Sequence, residues 1–187
     1  MESPPGEPLQ LELNDRIAVF GAGRLGLHLI AHLRTAGATH LILWNRSPLR
    51  PSRESLWSTP IPFATSPPPL HIGAFPIEEL VDARVALLTV SDQAVGPLAE
   101  QLAQARVLPA GCPVLHCSGA LTGAVLEPLA ALGHPTGSMH PLQSFSGSPS
   151  LDALRATFVA IEGDPEAVKM GFRLASWLQA KPFQLRP

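Results

Sequence analysis

The hydrophobic residues of this chain alternate between short continuous runs and stretches with helical spacing. Residues 16–20 and 40–44 are apolar runs of strand length, and in Arg24–Ala36 between them the leucines and the isoleucine recur every three or four residues. Gly37 follows this stretch at a position typical of a helix end. A strand, a helix and a second strand within about thirty residues have the size of a βαβ unit.

The same two patterns continue along the rest of the chain and predict its fold class. Apolar runs predict further strands at 70–74, 84–90, 112–117, 136–139, 157–162 and 183–185, and helical spacing predicts helices at 77–81, 95–104, 121–132 and 165–180. Because the strand runs are apolar on both faces, they are typical of a parallel sheet that is covered by helices on both sides. Prolines are dense between residues 47 and 69, so we expect only a poor helix near residues 53–58 and an irregular loop there. We therefore predict an α/β fold with a doubly wound, mostly parallel sheet.

Composition and charge narrow the class of protein. The 187 residues are 45% hydrophobic and 15% charged, with a net charge of −2. This suits one large domain with a sizeable core and gives no electrostatic reason to bind nucleic acid or an anionic membrane. The apolar runs are too short to cross a membrane and the Pro-rich start of the chain has no apolar signal segment, so a cytoplasmic location is expected. We predict a flexible arm over residues 1–14 and a single domain over 15–187, with Cys112 and Cys117 reduced in the core.

A glycine-rich turn follows the first predicted strand and opens the first predicted helix. It has the pattern G-x-G-x-x-G and consists of Gly21, Ala22, Gly23, Arg24, Leu25 and Gly26. The first glycine permits the tight turn, the second lets a pyrophosphate approach the backbone, and the third lets helix and strand pack closely. Since the free N–H groups of a helix N-terminus attract phosphate, the turn indicates a Rossmann-like dinucleotide site. A turn that serves packing alone and the loop of an S-adenosylmethionine methyltransferase are the alternatives.

The residues that close the second predicted strand bear on the choice of cofactor. NAD sites carry an acidic residue here for the ribose hydroxyls, whereas this chain has Asn45, Arg46 and Ser47 and no acid before Glu54. Asn45 can bond the ribose, and Arg46 and Ser47 can hold a 2′-phosphate, because a guanidinium matches phosphate geometry. The pattern favours NADP over NAD and disfavours a methyltransferase, with a solvated loop arginine as the alternative.

The ends of the later strands supply further candidates, because ligands of open parallel sheets bind beyond the carboxyl ends of the strands. Val90 and Ser91 are expected in a backbone turn against the ribose and nicotinamide, with Asp92 as the N-cap of the following helix. Ser118 either points toward the nicotinamide pocket, where its hydroxyl could bond a substrate, or caps a helix.

A histidine follows the predicted strand 136–139. Pro141 should block further sheet pairing and leave His140 at the rim, where an imidazole could exchange a hydroxyl proton or polarise a carbonyl. A histidine with a purely structural role is the alternative. Gln143 and Ser144 could add hydrogen bonds to a substrate. The two histidines of the first helix lack further ligands nearby, so no metal site is predicted.

Together these residues resemble a family of oxidoreductases. The segments GAGRLG, WNRS, LLTVSDQAV, HCSGAL and HPLQSF, within residues 16–185, are similar to those of NADP-dependent oxidoreductases with a Rossmann-like N-terminal domain and a helical C-terminal domain of unknown function. These belong to the 6-phosphogluconate dehydrogenase-like superfamily, with pyrroline-5-carboxylate reductase and prephenate dehydrogenase as relatives. The resemblance implies NADP contacts at the three glycines and at residues 45–47. Ser118 and His140 fall where prephenate dehydrogenases carry a catalytic serine and the histidine of a G-x-H-P motif, but no arginine for a dicarboxylate is evident, so prephenate itself is not expected.

The resemblance also implies a function. The chain is expected to be the NADP(H)-binding domain of an oxidoreductase that transfers hydride to or from a small carbonyl, imine or hydroxy compound, with His140 as proton donor or acceptor. Relatives continue into a helical domain that dimerises and closes the substrate pocket, whereas this sequence stops at Pro187. Turnover by this chain alone therefore stays open, and a homodimer is an expectation. A non-catalytic NADP-binding or redox-sensing module is the alternative.

Overall fold

One sheet organises the fold in this computed structural model, which describes residues 11–49, 68–145 and 152–185. Within these residues the strands are β1 (Arg16–Phe20), β2 (His40–Asn45), β3 (Leu70–Ile72), β4 (Ala83–Leu88), β5 (Val114–His116), β6 (Thr136–Pro141), β7 (Phe158–Gly163) and β8 (Lys181–Gln184). The α-helices are α1 (Arg24–Thr35), α2 (Ile77–Leu80), α3 (Asp92–Ala105), α4 (Glu127–Ala130) and α5 (Pro165–Trp177), and a 3₁₀ turn spans Gly123–Leu126 before α4. The predicted βαβ unit at the start of the domain is confirmed.

The strands lie in the order β3-β2-β1-β4-β5-β6-β7-β8. Neighbouring strands from β3 to β6 are parallel, β6 pairs antiparallel with β7, and β7 pairs parallel with β8. The carboxyl ends of β1 to β6 therefore gather along one edge, and the order of the strands reverses between β1 and β4. This is the predicted Rossmann-like, doubly wound and mostly parallel α/β fold, and its reversal point is where such sheets bind ligands.

Two apolar cores lie on opposite faces of the sheet, because successive strand residues point to opposite sides. The first core contains Val19 and Leu29 together with Cys117, and the second contains Phe20 and Leu98 together with Cys112. Helices α1 and α5 cover the first core, and α3 and α4 cover the second. Both cysteines are buried and unpaired, so their predicted place in the core is confirmed.

Two predictions about helices near the carboxyl edge were wrong. Helix α3 begins at Asp92, with the extended backbone of Ser91 as its N-cap, so Asp92 is the first helical residue and not the cap. The continuous helix predicted over residues 121–132 is divided into the 3₁₀ turn and α4. Gly123 and Pro128 lie inside that stretch, and both residue types weaken a helix interior.

The end of β6 also differs from its prediction. Pro141 was expected to stop sheet pairing, but His140 and Pro141 pair with β7, where Pro141 lies opposite Val159. On its other side β6 pairs with β5 only as far as Ser138 opposite His116. Within the described residues no strand therefore requires the N–H that Pro141 lacks, which is the position where a sheet tolerates proline.

Some expectations fall on residues that the structure does not describe. These are the first ten residues of the predicted arm, the short helix near residues 53–58 and most of the irregular loop predicted around it, since residues 50–67 lie outside the described part of the chain. The remainder of the arm packs on the domain, since Leu11 is buried and its carbonyl accepts a hydrogen bond from Arg173 Nε at 3.1 Å. Among the helices of residues 11–49, 68–145 and 152–185, none has the length and apolar character needed to span a membrane.

Candidate functional site

The turn between β1 and α1 is closed by contacts that require glycine. Gly21 has a φ of +117°, a conformation that favours glycine, and its N–H donates to the Trp44 carbonyl at 2.7 Å. A Cβ atom on Gly26 would lie 1.9 Å from the Gly21 carbonyl oxygen. These two glycines therefore provide the tight turn and the close packing of α1 against β1 that the motif predicts.

The N-terminus of α1 faces open space at this turn. Gly23 is the N-cap with an extended backbone, and the first helical turn contains no acidic residue. A Cβ atom on Gly23 would meet only the Thr89 carbonyl oxygen, at 3.6 Å. Because helix N-termini carry a partial positive charge and unpaired N–H groups, this end of α1 suits a phosphate group.

Thr89 fastens the turn to the neighbouring strand. Its side chain is buried, and its hydroxyl lies 2.7 Å from the Gly21 carbonyl oxygen and 3.2 Å from that of Phe20. Its N–H also donates to the Phe20 carbonyl at 2.8 Å. Thr89 was not among the predicted site residues, although a hydroxyl in the apolar run LLTV was a signal that a polar partner lies nearby.

Asn45 connects the end of β2 to the same turn. Its Oδ1 accepts a hydrogen bond from the Ala22 N–H at 3.1 Å, and its Nδ2 donates to the Ser47 carbonyl at 2.6 Å. The carboxamide thus positions the turn and the loop that carries Arg46. A contact between Asn45 and a ribose stays a prediction.

These elements enclose a cleft of about 910 Å³ at the carboxyl edge of the sheet. Of the predicted cofactor residues it is lined by Gly21, Gly23, Arg24, Leu25, Asn45, Arg46, Ser47, Val90 and Ser91. Ala22 and Gly26 do not line it, because they are buried in the turn. Two arginines and no carboxylate belong to the part of the lining that the structure describes, so the cleft favours an anionic ligand.

The cleft also has a wall that sequence analysis missed. Gln93, Pro97 and Gln101 of α3 line it, and their spacing of four residues places them on one helix face. That spacing was visible in the sequence, but the direction of the face could not be inferred before the helix was placed. Phe145 lines the cleft as well, and its ring packs on His28 of α1 with 5.1 Å between centroids.

The two residues after β6 that were predicted to bind substrate lie in different surroundings. Ser144 lines the cleft, whereas Gln143 is not part of its lining. Gln143 Oε1 instead accepts a hydrogen bond from the Thr157 hydroxyl at 2.5 Å, so that its side chain holds the start of the segment between β6 and β7. A role for either residue in substrate binding stays a prediction.

Ser118 and His140 follow or end neighbouring strands, β5 and β6, and the His140 ring lies against the turn that contains Ser118. Neither belongs to the cleft lining. Ser118 is buried, and its hydroxyl oxygen accepts the Ala120 N–H at 3.1 Å. This bond lies within the turn, and Thr122 is the N-cap of the 3₁₀ turn that follows, so Ser118 does not cap a helix. His140 is half-buried and its Nδ1 lies 3.1 Å from the Cys117 carbonyl oxygen.

A row of polar residues crosses three neighbouring strands of the sheet, in which His116 and Ser138 are buried and Glu162 is half-buried. His116, Ser138 and Glu162 occupy opposite positions on β5, β6 and β7. His116 is in the core, as predicted, and burial lowers its pKa. The backbone of Thr122 and the negative charges of Glu162 and Asp92 raise this pKa by less, while the proximity of His140 lowers it further. This imidazole is therefore neutral at pH 7. Among the described residues no group of three or more metal-binding side chains is found.

Comparisons with known proteins agree with this architecture. A model of the Rossmann-like domain matches residues 63–141, and no curated protein sequence matches the chain significantly. The prephenate dehydrogenase of A. aeolicus, solved with hydroxyphenyl propionate and NAD+, has a TM-score of 0.64 at 14% identity and covers 92% of this chain and 60% of its own.

Two further solved structures give the same result. The pyrroline-5-carboxylate reductase of Coxiella burnetii has a TM-score of 0.65 at 13% identity, over 93% of this chain and 60% of its own. The glycerol-3-phosphate dehydrogenase of the same organism has a TM-score of 0.66 at 17% identity, over 93% of this chain and 55% of its own. The chain therefore spans between 55% and 60% of the length of these proteins.

The fold and the glycine turn thus define a Rossmann-like domain, a class that binds dinucleotides at this edge of the sheet. The structural neighbours are oxidoreductases, which agrees with the resemblance drawn from the sequence motifs. At these identities the likeness establishes the fold of the chain.

Proposed function

We propose that the chain is the NADP(H)-binding domain of an oxidoreductase that transfers hydride to or from a small carbonyl, imine or hydroxy compound. The observation that carries the proposal is the cleft itself. It is lined by a glycine turn, by a helix N-terminus without a side-chain capping bond and by two arginines, with no carboxylate among its described residues. Such a lining matches a ligand with several phosphate groups.

The choice of NADP rests on the loop after β2. Arg46 and Ser47 are exposed and line the cleft, at the place where the adenosine ribose lies in this class of fold. A guanidinium can hold a 2′-phosphate through two hydrogen bonds. The glycine turn would hold the pyrophosphate, and Val90 and Ser91 would lie against the ribose and nicotinamide.

The chemistry of the bound cofactor is hydride transfer at its nicotinamide ring. His140 would exchange the proton that accompanies the hydride, and Ser118 would orient the substrate. Since a carbonyl oxygen only accepts hydrogen bonds, His140 Nδ1 carries its hydrogen toward Cys117 O, at 3.1 Å. In the neutral ring, Nε2 then holds the lone pair that could accept a proton.

The experiment is a calorimetric titration of the chain with NADPH and, separately, with NADH. Arg46→Ala should weaken NADPH binding by about 10- to 100-fold, the loss expected for one charged hydrogen-bonding partner, and should change NADH binding much less. Arg106→Ala is the matched control, because Arg106 is exposed at the far end of α3 and outside the cleft lining. Equal losses for both nucleotides would contradict the 2′-phosphate assignment, and no binding of either by the unaltered chain would contradict the proposal.

A non-catalytic NADP-binding or redox-sensing module is the second candidate. The observation that favours it is that Ser118 and His140 stand outside the cleft lining and already bond the protein backbone. Turnover of NADPH with a panel of small carbonyl compounds separates the two candidates. Loss of that turnover in His140→Ala, with NADPH affinity retained, would support the enzyme, whereas NADPH binding without any turnover would support the module.

The outer strands offer a surface for self-association. Four large apolar side chains are exposed on or next to the strands β6 to β8, namely Leu142, Phe158, Phe183 and Leu185. The ring centroids of Phe158 and Phe183 are 6.4 Å apart. Since exposed apolar groups favour association, a homodimer through β7 and β8 remains part of the proposal. Sedimentation of the chain at several concentrations measures it, and a monomer throughout would contradict it.

A further inference from the structure

The turn after β5 is shaped around the imidazole of His140. A Cβ atom placed on Gly119 would lie 2.4 Å from His140 Nε2, 2.6 Å from Cε1 and 2.7 Å from Cδ2. Real Cβ atoms essentially never approach other heavy atoms within 3.0 Å, so any side chain at Gly119 would displace the ring. Gly119 is not among the glycines with positive φ. The backbone conformation of Gly119 therefore does not require glycine. It is the position of the His140 ring that leaves no room for a Cβ atom.

Hydrogen bonds inside the turn fix the position of this glycine. The Ser118 N–H donates to His116 Nδ1 at 3.2 Å, and the Ala120 N–H donates to the Ser118 hydroxyl oxygen at 3.1 Å. The imidazole of His116 is fully buried, so it is a rigid acceptor for the turn. Gly119 lies between these two anchored amides.

The third contact comes from His140 itself. Its Nδ1 donates to the Cys117 carbonyl oxygen at 3.1 Å, which fixes the ring by one nitrogen and leaves the other as the acceptor in the neutral form. Because Nε2 is the ring atom nearest to the missing Cβ, this nitrogen lies beside the exposed backbone of Gly119.

We propose that residues 116–120 form a seat for the His140 imidazole, in which Gly119 and His116 are positioning residues. Gly119 provides the space for the ring, Cys117 selects its tautomer through the backbone, and His116 holds the turn in the shape that allows both. Only the role of His140 as proton donor or acceptor rests on the proposed function. The positioning of the ring can be measured without any substrate.

The first test is a double-mutant cycle on the 187-residue chain. Gly119→Ala should lower Tm by about 3–10 °C, the range for an overpacked contact in a domain of this size. In a His140→Ala background the same substitution should lower Tm by less than half as much, because the overlapping ring is absent. Gly96→Ala is the matched control, since its Cβ would meet only Val125 Cγ2, at an ordinary 3.5 Å, and should give equal effects in both backgrounds. An equal loss from Gly119→Ala in both backgrounds would overturn the seat.

The second test reads the ring directly by ¹⁵N imidazole NMR. His140 should show the Nδ1–H tautomer in the unaltered chain and in Gly96→Ala, and should lose that pattern in Gly119→Ala. His116→Asn retains an acceptor near the Nδ1 position and should preserve the tautomer, whereas His116→Leu should not. Unchanged His140 signals in Gly119→Ala and His116→Leu would overturn the assignment of both positioning residues.

These measurements are independent of the cofactor proposal. Failure of NADPH to bind would remove the proposed function and leave the tautomer and the cycle unaffected. Conversely, a chain that binds NADPH but shows no coupling between residues 119 and 140 would keep the cofactor site and lose the seat.

Discussion

Replacing Gly26 with alanine tests the packing of α1 against the glycine turn. The added methyl would lie 1.9 Å from the Gly21 carbonyl oxygen and 2.7 Å from Thr89 Oγ1. The Gly21 oxygen already accepts the Thr89 hydroxyl at 2.7 Å. The methyl group therefore meets the Gly21 carbonyl oxygen and Thr89 Oγ1, which are hydrogen-bonded to each other. Rotation of the Thr89 side chain alone cannot relieve both contacts.

The size of the effect follows from the movement required. Side-chain carbons need about 3.0 Å of separation, so the helix would have to move by roughly 1.1 Å from the Gly21 carbonyl. Overpacking in a closed interior costs about 1–3 kcal/mol and more when backbone atoms must shift, so we expect the free energy of unfolding to fall by about 3 kcal/mol. This corresponds to a decrease in Tm of roughly 6–12 °C for a domain of this size.

Gly23→Ala is the matched variant in the same turn. Its methyl would have 3.6 Å to the Thr89 carbonyl oxygen, and alanine in place of an N-cap glycine costs at most about 1 kcal/mol. The methyl would instead occupy the cleft, where we expect NADPH affinity to fall at least about tenfold, or 1.4 kcal/mol. Urea unfolding followed by circular dichroism measures stability, and calorimetry measures affinity.

The pair of variants separates packing from binding. A loss of less than about 1 kcal/mol in Gly26→Ala would refute the packing argument, since it would mean that α1 moves freely against β1. A Gly23→Ala variant with unchanged stability and unchanged NADPH affinity would refute the assignment of that backbone to a pyrophosphate.

Three further predictions concern buried polar groups. Burial lowers the pKa of His116 and of His134, so both bind protons more weakly in the folded chain. The free energy of unfolding should therefore be highest above pH 6.5 and fall toward pH 5, by at most about 1.4 kcal/mol per pH unit for each histidine. Urea unfolding measures this, and a free energy of unfolding that does not change with pH would contradict it. His116→Asn should remove its share of that slope. Burial raises the pKa of Cys112 and Cys117 to about 12, so a thiol reagent at pH 7.4 should react with them only as fast as the chain unfolds; rapid labelling of the folded chain would show that they are accessible. Thr89→Val should lower the free energy of unfolding by about 1–3 kcal/mol, because it removes the hydroxyl that donates to the Gly21 carbonyl. A smaller loss would show that water replaces the hydroxyl.

The features that sequence reasoning predicted are those encoded over short stretches. The βαβ unit and the glycine turn are contained in residues 16–44, where apolar runs, helical spacing and three glycines all indicate the same local structure. The cofactor side of the cleft followed from this unit, because its loops leave the sheet at one edge. Arg46 and Ser47 could thus be assigned to the cleft before any contact was known.

The features that sequence reasoning missed depend on distant partners. Thr89 bonds Gly21 across 68 positions of the chain, and nothing beside Thr89 in the sequence indicates that partner. The sequence does not indicate the antiparallel pairing of β6 with β7 either. Side chains alternate between the two faces of a sheet with the same period whichever way the strand runs. Pro141 was predicted to stop sheet pairing because it lacks a backbone N–H. That N–H matters only on a side of the strand where another strand pairs, and the sequence does not show which side this is.

The clasp made by Asn45 has a consequence for how such a domain can change during evolution or engineering. Because the carboxamide accepts the Ala22 N–H and donates to the Ser47 carbonyl, the loop is held in place by one half-buried side chain and by backbone atoms. The exposed side chains of Arg46 and Ser47 take no part in that clasp. We therefore expect that exchanging these two side chains would alter the nucleotide preference of the proposed site with little change in the stability of the fold.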